Sequence, residues 1–242
     1  MHSSVLIAGR RRSYVTVPGY RLGMKPANAG KRYPAEPLSK DEIHRLLKAS
    51  GRGYAGARNR ALWVMLWRCG LRIAEALALY PRDLDLEAGT VTVLHGKGDR
   101  RRVVGIDPEA AAVVAQWIDR RRLIELTGRS PLFCVISWPN IGKPMQASCA
   151  REAIKDAARR AGIERRVHPH ALRHTHAFEL ANEGVPVHVI RAQLGHKSLA
   201  TTARYIDHLA PRQVIDAMRA RTWDVSHEAA ASAPAERGDV AA

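Results

Sequence analysis

The sequence predicts a mainly α-helical fold that contains one small antiparallel β-sheet. Between residues 36 and 223, most apolar residues recur at the three- and four-residue steps of amphipathic helices. Signals for helix starts and stops separate these segments from one another. Over residues 89–106 the spacing changes to alternation on either side of a predicted turn, which is typical of paired strands. No internal repeat interrupts this pattern.

The first predicted helices have recognisable ends. In the segment PLSKDEIHRLLKAS, Ser39 and Glu42 have the three-residue spacing of a capping box. The segment ARNRALWVMLWRCG carries apolar residues at helical spacing, and Gly70 is its predicted C-terminal stop. The short segment RIAEALAL predicts the next helix, which Arg72 opens.

A predicted β-hairpin and further helices follow. The segment GTVTVLHGKGDRRRVVGI alternates, turns at the sequence Gly-Lys-Gly-Asp and alternates again. Pro108 begins a long helix that extends to about Glu125, and PLFCV is too short to assign. The remaining predicted helices span residues 147–161, 170–183, 186–194 and 198–206, followed by the amphipathic segment RQVIDAMRARTW.

The chain divides into three parts. Residues 1–35 contain seven Lys or Arg and no acidic residue, which predicts a flexible basic arm that can lie along phosphates. A terminus without a role is the alternative. Residues 36–223 form the predicted folded domain. Residues 224–242 are Ala-rich and are expected to form a disordered tail.

The charge of the chain indicates the class of its partner. Its 242 residues carry a formal net charge of +16, and the pI is about 10.6. This charge favours a polyanion, most simply nucleic acid, over an acidic membrane surface. The sequence has no run of 18 apolar residues and no secretory signal. Its three cysteines form no Cys-x-x-Cys pair, which argues against a disulfide framework or zinc ribbon and fits a reducing cytoplasm.

The segment HPHALRHTHA is the first candidate for chemistry. On a helix His170 and Arg173 share a face, where a guanidinium fork and an imidazole donor together suit a phosphate oxygen. His170 and His174 also have the spacing of a zinc-binding helix. However, Ala171 stands where such a motif needs Glu, and Arg173 would repel a cation. A structural role for His174 or His176 is the alternative for each.

Arg72, Glu75 and Lys97 are further candidates. Arg72 can hold a phosphate while Glu75, one helical turn later, holds Arg72; an ordinary ion pair on a solvated face is the alternative. Lys97 lies at the predicted hairpin tip, where it can donate a proton to a leaving oxygen. It can equally be one basic residue among several that touch phosphate. No segment has the pattern of a P-loop.

Tyr205 lies nine residues after His196, in a chain with few aromatic residues. A tyrosine hydroxyl has a pKa near 10 and is a weak nucleophile without help. Attack on a phosphodiester needs cations around the phosphate, a proton acceptor near the phenol and a proton donor near the leaving oxygen. The dispersed cationic residues supply such a set for phosphoryl transfer without a metal.

These motifs together resemble one known family. The segments GLRIAEALAL, GKGDRRRVV, HPHALRHTHA and LGHKSLATTARY are similar to those of the tyrosine recombinases, or phage-type integrases, which include the Xer and Cre enzymes. The resemblance extends from about Pro37 to Trp223 and therefore covers most of the chain. It implies the catalytic-domain fold of these DNA breaking-rejoining enzymes for residues 36–223.

The resemblance also implies a role for each matching residue. Tyr205 would be the nucleophile, which forms a 3′-phosphotyrosyl link and frees a 5′-hydroxyl. Arg72 and Arg173 would bind the scissile phosphate, and Lys97 would protonate the leaving 5′ oxygen. The other matching residues would assist proton transfer (His170), hydrogen-bond the phosphate (His196) or support the site (Glu75, His174). The predicted DNA contacts beside these motifs are Arg100, Arg101, Arg102 and Lys197.

The chain departs from the family in one respect. Family members usually carry an N-terminal core-binding domain of roughly one hundred residues, whereas about 36 residues precede the matching region here. The expected partner is double-stranded DNA, bound by a homo-oligomer that is a tetramer on two sites, with no cofactor, no metal and no membrane. The alternatives are a catalytically decayed DNA-binding regulator and a type IB topoisomerase-like enzyme without site preference.

Overall fold

The computed structural model describes residues 4–7, 10–13, 37–94, 101–126, 128–196, 218, 219 and 221. The chain separates into two compact units, Met1–Pro34 and Ala35–Ala242. In the first unit, strands β1 (Ser4–Ile7) and β2 (Arg10–Ser13) form an antiparallel pair, in which Ser4 lies opposite Ser13. Sequence analysis assigned no strand to this basic segment.

The described part of the second unit is mainly helical with a three-stranded sheet, which confirms the predicted fold class. Its α-helices are α1 (Lys40–Lys48), α2 (Gly53–Arg68), α3 (Ile73–Leu77), α4 (Pro108–Leu123), α5 (Ala147–Arg160), α6 (Pro169–Asn182) and α7 (Val187–Leu194). A 3-10 turn, Pro81–Asp83, precedes strands β3 (Leu84–Asp85), β4 (Thr90–Val93) and β5 (Arg102–Gly105).

The predicted capping box opens α1. The Ser39 hydroxyl accepts the backbone N–H of Glu42 at 3.1 Å, and the Glu42 carboxylate accepts the N–H of Ser39 at 2.7 Å. One residue earlier, the N–H of Leu38 donates to the Thr175 hydroxyl at 2.9 Å. The start of α1 is therefore fixed both by its own cap and by a contact with α6.

The contribution of the Ser39 cap to the stability of the protein can be tested by removing it. Replacing Ser39 with Ala should lower the free energy of unfolding by about 1 kcal/mol, because one N–H at the helix start loses its acceptor. Urea titration followed by circular dichroism measures this difference. The control is Ser148→Ala, since Ser148 is exposed near the start of α5 and its hydroxyl bonds only weakly to Gln146, at 3.4 Å. Equal stabilities for the two variants would contradict the importance of the cap.

Helix α2 lies at the centre of the core. Its residues Leu62, Trp63, Met65 and Leu66 are all almost fully buried, and the helix packs against α3, α4, α5 and α6. On α4, Trp117 is buried, and its indole N–H donates to the carbonyl of Leu132 at 2.9 Å. The chain segment after α4 is thereby held against the same core as α2.

The predicted hairpin is present as β4 and β5, which pair antiparallel in the strand order β3-β4-β5. Val91 lies opposite Val104, and both are buried, whereas Val103, which precedes Val104 on β5 and lies opposite Thr92, is 56% exposed. The alternation that predicted these strands therefore sorts their side chains between the core and solvent. The predicted turn, residues 96–99, lies outside the described residues.

Helices α6 and α7 complete the described domain. His168 is the N-cap of α6, where its Nδ1 accepts the N–H of Ala171 at 3.1 Å, and Pro169 occupies the first turn. A small apolar cluster, whose buried members are Ala177, Ala181, Ile190 and Leu194, joins the two helices. The predicted helix over 198–206 and most of the final amphipathic segment lie outside the described residues. Among the helices that the structure describes, none is long and apolar enough to cross a membrane.

Candidate active site

Arg72 and Glu75 form a buried ion pair at the start of α3. Arg72 Nη1 donates to Glu75 Oε1 at 2.7 Å, and the backbone N–H of Arg72 donates to Oε2 at 2.9 Å. The Glu75 side chain is 3% exposed and that of Arg72 is 30% exposed. The predicted ion pair is therefore present, and it is largely buried rather than on a solvated helix face.

A second arginine binds the same carboxylate. Arg102, the first residue of β5, donates from Nη1 to Glu75 Oε1 at 3.0 Å and from Nη2 to Oε2 at 2.8 Å. Burial would raise the pKa of Glu75, but the bonds from Arg102 and Arg72 lower it to about 2. Glu75 is thus a carboxylate at neutral pH, held between two guanidinium groups.

Arg173 lies on α6, far from Arg72 in the sequence, and its side chain reaches the segment just before α3. It is 2% exposed, and its guanidinium donates to the carbonyl of Gly70 through Nη1 and to that of Leu194 through Nη2, the latter at 2.6 Å. Arg72 Nη2 approaches the next carbonyl, that of Gly195, at 3.4 Å. The two arginines therefore hold the C-terminal end of α7, directly before His196.

Glycine at positions 70 and 195 lets neighbouring side chains pack directly against the backbone. Gly70 has φ +62° and Gly195 has φ +64°, a region that residues with a Cβ rarely adopt. A Cβ on Gly70 would lie 2.6 Å from the His176 ring, and one on Gly195 would lie 2.7 Å from Nε of Arg102. Gly70 was predicted from the sequence only as a helix stop. In the structure its carbonyl also accepts a hydrogen bond from Arg173.

The histidines of the site are held in their neutral form. His170 and His174 are in edge-to-face contact, with ring centroids 4.1 Å apart. His170 is exposed, but the protein around its ring removes part of its hydration. This loss of water and the charges of Arg173 and Arg72 lower its pKa to about 4. Burial and the same two arginines lower the pKa of His196 to about 4 as well. His170 and His196 therefore lie close enough to the two arginines to feel their charge.

The other two histidines of α6 are more enclosed. Burial and the neighbouring His170 lower the pKa of His174 to about 3. His176 is 4% exposed, and burial beside Arg68 and Arg173 lowers its pKa to about 3. Within the described ranges, no three side chains of His, Cys, Asp or Glu converge as candidate metal ligands.

The geometry suits a tetrahedral anion. Among the described groups, three guanidiniums and one carboxylate converge, and the four histidines beside them are neutral at pH 7. Arginine donors present a fixed fork to phosphate oxygens, and a neutral imidazole can give or accept a proton without adding charge. The arrangement can therefore bind a phosphate and move a proton beside it.

The structure brings together most of the predicted site residues that it describes. These are Arg72, Glu75, His170, Arg173, His174 and His196, with Arg102 added from the set of predicted DNA contacts. Arg101 is exposed beside them. Lys97, Arg100, Lys197 and Tyr205 lie outside the described residues, and their roles stay predictions.

Gln193 is a residue that sequence analysis missed. Its side-chain amide accepts the N–H of Gly105 at 2.9 Å and donates to the carbonyl of Gly105, also at 2.9 Å. It thereby pairs α7 with β5 in the way that a neighbouring strand would. Nothing in its sequence context distinguishes it from any polar helix residue, because the contact joins segments 88 residues apart.

Comparison with protein families gives the identity of this arrangement. Residues 36–212 match the phage integrase family. The chain belongs to this family. Integrase relatives include the tyrosine recombinase XerD of Mycobacterium leprae (strain TN), which is 34% identical over 192 residues, a match that covers 75% of this chain and 59% of XerD.

Solved structures of integrase relatives have the same fold. The XerA recombinase is 32% identical, with a TM-score of 0.65 over 77% of this chain and 65% of that protein. The XerH site-specific recombinase, bound to palindromic difH substrate in a post-cleavage complex, is 27% identical with a TM-score of 0.63, over 81% of this chain and 55% of that protein. The chain thus spans about three fifths of the length of these relatives.

Proposed function

We propose that this chain is a site-specific DNA recombinase that cleaves and rejoins double-stranded DNA through a 3′-phosphotyrosyl intermediate, without metal or ATP. One observation carries the proposal. Arg72 and Arg173 donate hydrogen bonds to adjacent backbone carbonyls, those of Gly195 and Leu194, next to His196. Residues far apart in the sequence thereby meet next to His196. The relatives XerD, XerA and XerH are recombinases.

In the proposed reaction Tyr205 attacks the scissile phosphorus. The phenol oxygen forms a new bond to phosphorus, and its proton passes to an acceptor, a role in which His170 assists. The bond between phosphorus and the 5′ oxygen breaks, and Lys97 protonates that oxygen to give a free 5′-hydroxyl. A 5′-hydroxyl from a second strand reverses these steps and completes the exchange, so that no external energy source is required.

The described residues would stabilise the charge that develops on the phosphate. Arg72 and Arg173 supply guanidinium donors, and His196 supplies a neutral imidazole donor. His170 is a weak base in the free protein, because its pKa is about 4. A bound phosphate brings negative charge next to the ring and so raises its proton affinity, which makes His170 a better proton acceptor when DNA is present.

The proposal extends to the assembly on DNA. We expect a homotetramer on two sites, with Arg101 among the residues that touch the DNA backbone and with the protein located at the nucleoid in the cytoplasm. Two observations bear on this part: the net charge of +16 and the DNA complex of the relative XerH. The number of subunits follows from light scattering of the purified protein with and without paired sites.

The proposed chemistry is tested with a pool of nicked duplexes that carry randomised flanks. The protein is incubated with the pool in a chelator, covalent adducts are separated under denaturing conditions, and the captured DNA is sequenced. We expect an adduct that depends on Tyr205, because the nick lets the free strand diffuse away and traps the intermediate. Tyr205→Phe should abolish the adduct, whereas Tyr54→Phe, which changes an exposed tyrosine of α2, should retain it.

Other outcomes separate the alternatives. An adduct that persists in Tyr205→Phe, or that forms only with a divalent metal, contradicts the proposed mechanism. DNA binding without an adduct on any captured sequence favours a decayed regulator. Relaxation of supercoiled plasmid together with adducts that show no common sequence favours a topoisomerase-like enzyme.

A further inference from the structure

Arg102 does not have the surroundings of an ordinary DNA-contacting arginine. Side chains alternate along β5, so Arg102 shares the face of Val104, which is buried, whereas Val103 on the opposite face is exposed. Arg101, just before the strand, is exposed as well. The Arg102 side chain is 15% exposed, half the exposed fraction of Arg72. Its position on the strand therefore directs it towards Glu75 rather than towards solvent.

The contacts of Glu75 with Arg72 and Arg102 determine the net charge of this group of three residues. Glu75 receives four donors, two from Arg72 and two from Arg102, and each of its oxygens is shared between the two arginines. Paired with Arg72 alone, the carboxylate would cancel the charge of that guanidinium. With Arg102 included, the group of three has a net charge of +1, and its most exposed cation is Arg72.

Arg102 also joins three parts of the site. It begins the strand that follows the predicted lysine hairpin, it binds Glu75 at the start of α3, and its side chain packs against Gly195 at the end of α7. The opposite end of the same strand is held by Gln193 of α7. Movement of β5 would therefore displace both the Arg72–Glu75 pair and the segment before His196.

We propose that Arg102 is a positioning residue of the cleavage site: by binding Glu75 it fixes the orientation of Arg72 and prevents Glu75 from neutralising it. Arg102 acts on the scissile phosphate through these two residues and makes no contact with DNA. This inference rests on the proposed function, because it assigns a role within the same phosphoryl-transfer site.

The first test compares single-turnover rates of adduct formation on the nicked duplex captured by the wild type. Arg102→Met should slow the reaction by about 10- to 100-fold, the range typical of residues that orient a primary ligand. Arg102→Lys should be intermediate, since it restores the charge but cannot bond to both carboxylate oxygens at once. Arg122→Met is the control, because Arg122 also bonds to a carboxylate, that of Asp119 at 2.8 Å, but is exposed.

A double variant tests whether Arg102 acts through Glu75. If it does, Arg102→Met together with Glu75→Gln should be about as slow as Glu75→Gln alone, since the partner of Arg102 is already lost. If instead the double variant is slowed by the product of the two single-variant factors, Arg102 acts independently of Glu75, and the inference is overturned. Thermal unfolding of each variant confirms that rates are compared between folded proteins, and Arg102→Lys replaces Arg102→Met if the latter does not fold.

A neutral substrate tests the role of charge. Replacing the scissile phosphate by a methylphosphonate removes its negative charge and leaves the rest of the duplex unchanged. The slowing caused by Arg102→Met should shrink to within about threefold on this substrate, because the charge near Arg72 then matters less. An equal slowing on both substrates would indicate a structural role alone and would contradict the charge argument.

The salt dependence of DNA binding distinguishes positioning from direct contact. A phosphate contact that is lost lowers the slope of log affinity against log salt by about 1. We expect this change for Arg101→Met and no such change for Arg102→Met. If wild type and Arg102→Met form the adduct at equal rates, the inference fails while the proposed function stands; if wild type forms no Tyr205-dependent adduct, the proposed function fails and the inference with it.

Discussion

Replacing Arg173 with lysine is expected to slow adduct formation by about 10³-fold and to lower the free energy of unfolding by about 2–4 kcal/mol. A lysine ammonium cannot reproduce the planar fork of a guanidinium at a phosphate. It also cannot reach the carbonyls of Gly70 and Leu194 together, so buried acceptors that Arg173 now satisfies would lose their donors. Single-turnover kinetics and urea titration measure the two effects on the same preparation.

A second buried arginine provides the control for this experiment. Arg121 of α4 is also 2% exposed, and its Nη2 donates to the carbonyls of Ser130 and Pro131 at 3.1 and 3.0 Å. Arg121→Lys should therefore destabilise the protein by a similar amount. Its cleavage rate per folded molecule should stay within about twofold of the wild type, because Arg121 is not part of the site. Equal loss of rate in both variants would show that Arg173 acts only through stability.

The local parts of this fold could be predicted from the sequence because their signals are local. The capping box of Ser39 and Glu42, the helix that starts at Pro108 and the alternation of β4 and β5 each depend on residues a few positions apart. The same holds for the pairing of Arg72 with Glu75, which one helical turn brings together. Spacing alone left open whether that pair was solvated, because burial depends on the whole fold.

The long-range parts of the site could not be predicted in this way. The contact of Arg102 with Glu75 was not predicted, since three consecutive arginines look alike in a linear sequence. The alternation of β5 did contain a signal, because it places Arg102 on the face of the buried Val104. No comparable signal marks Gln193 or the carbonyl of Gly70, whose contacts with Gly105 and Arg173 exist only in the folded chain.

Lowering the pH from 6.5 to 4.5 is expected to reduce the free energy of unfolding by several kcal/mol, on the order of 5 kcal/mol. Burial lowers the pKa values of His174 and His176 to about 3, and burial together with Arg173 and Arg72 lowers that of His196 to about 4. In the unfolded chain each imidazole titrates near 6.5. Below this pH the unfolded state binds protons that the folded state does not, so stability falls as the pH falls.

Glu75 changes stability in the same direction but in a separate window. Its folded-state pKa is about 2, below its ordinary value of 4.5, so its contribution is present above about pH 4.5 and is lost as the pH falls towards 2. Measurements between pH 6.5 and 4.5 therefore report mainly on the histidines. Urea titrations at intervals of half a pH unit over this range give the slope.

His176 allows the contribution of one histidine to be isolated. It is 4% exposed, its Nε2 has no hydrogen-bond partner among the described residues, and its ring lies against Gly70. His176→Phe removes the titrating group while keeping a ring, and should reduce the loss of stability between pH 6.5 and 4.5 by about 2 kcal/mol. His188→Gln, at an exposed position on α7, is the control and should leave the slope unchanged. If both variants keep the wild-type slope, the acid sensitivity comes from groups other than His176, and its imidazole is protonated in the folded protein at no cost.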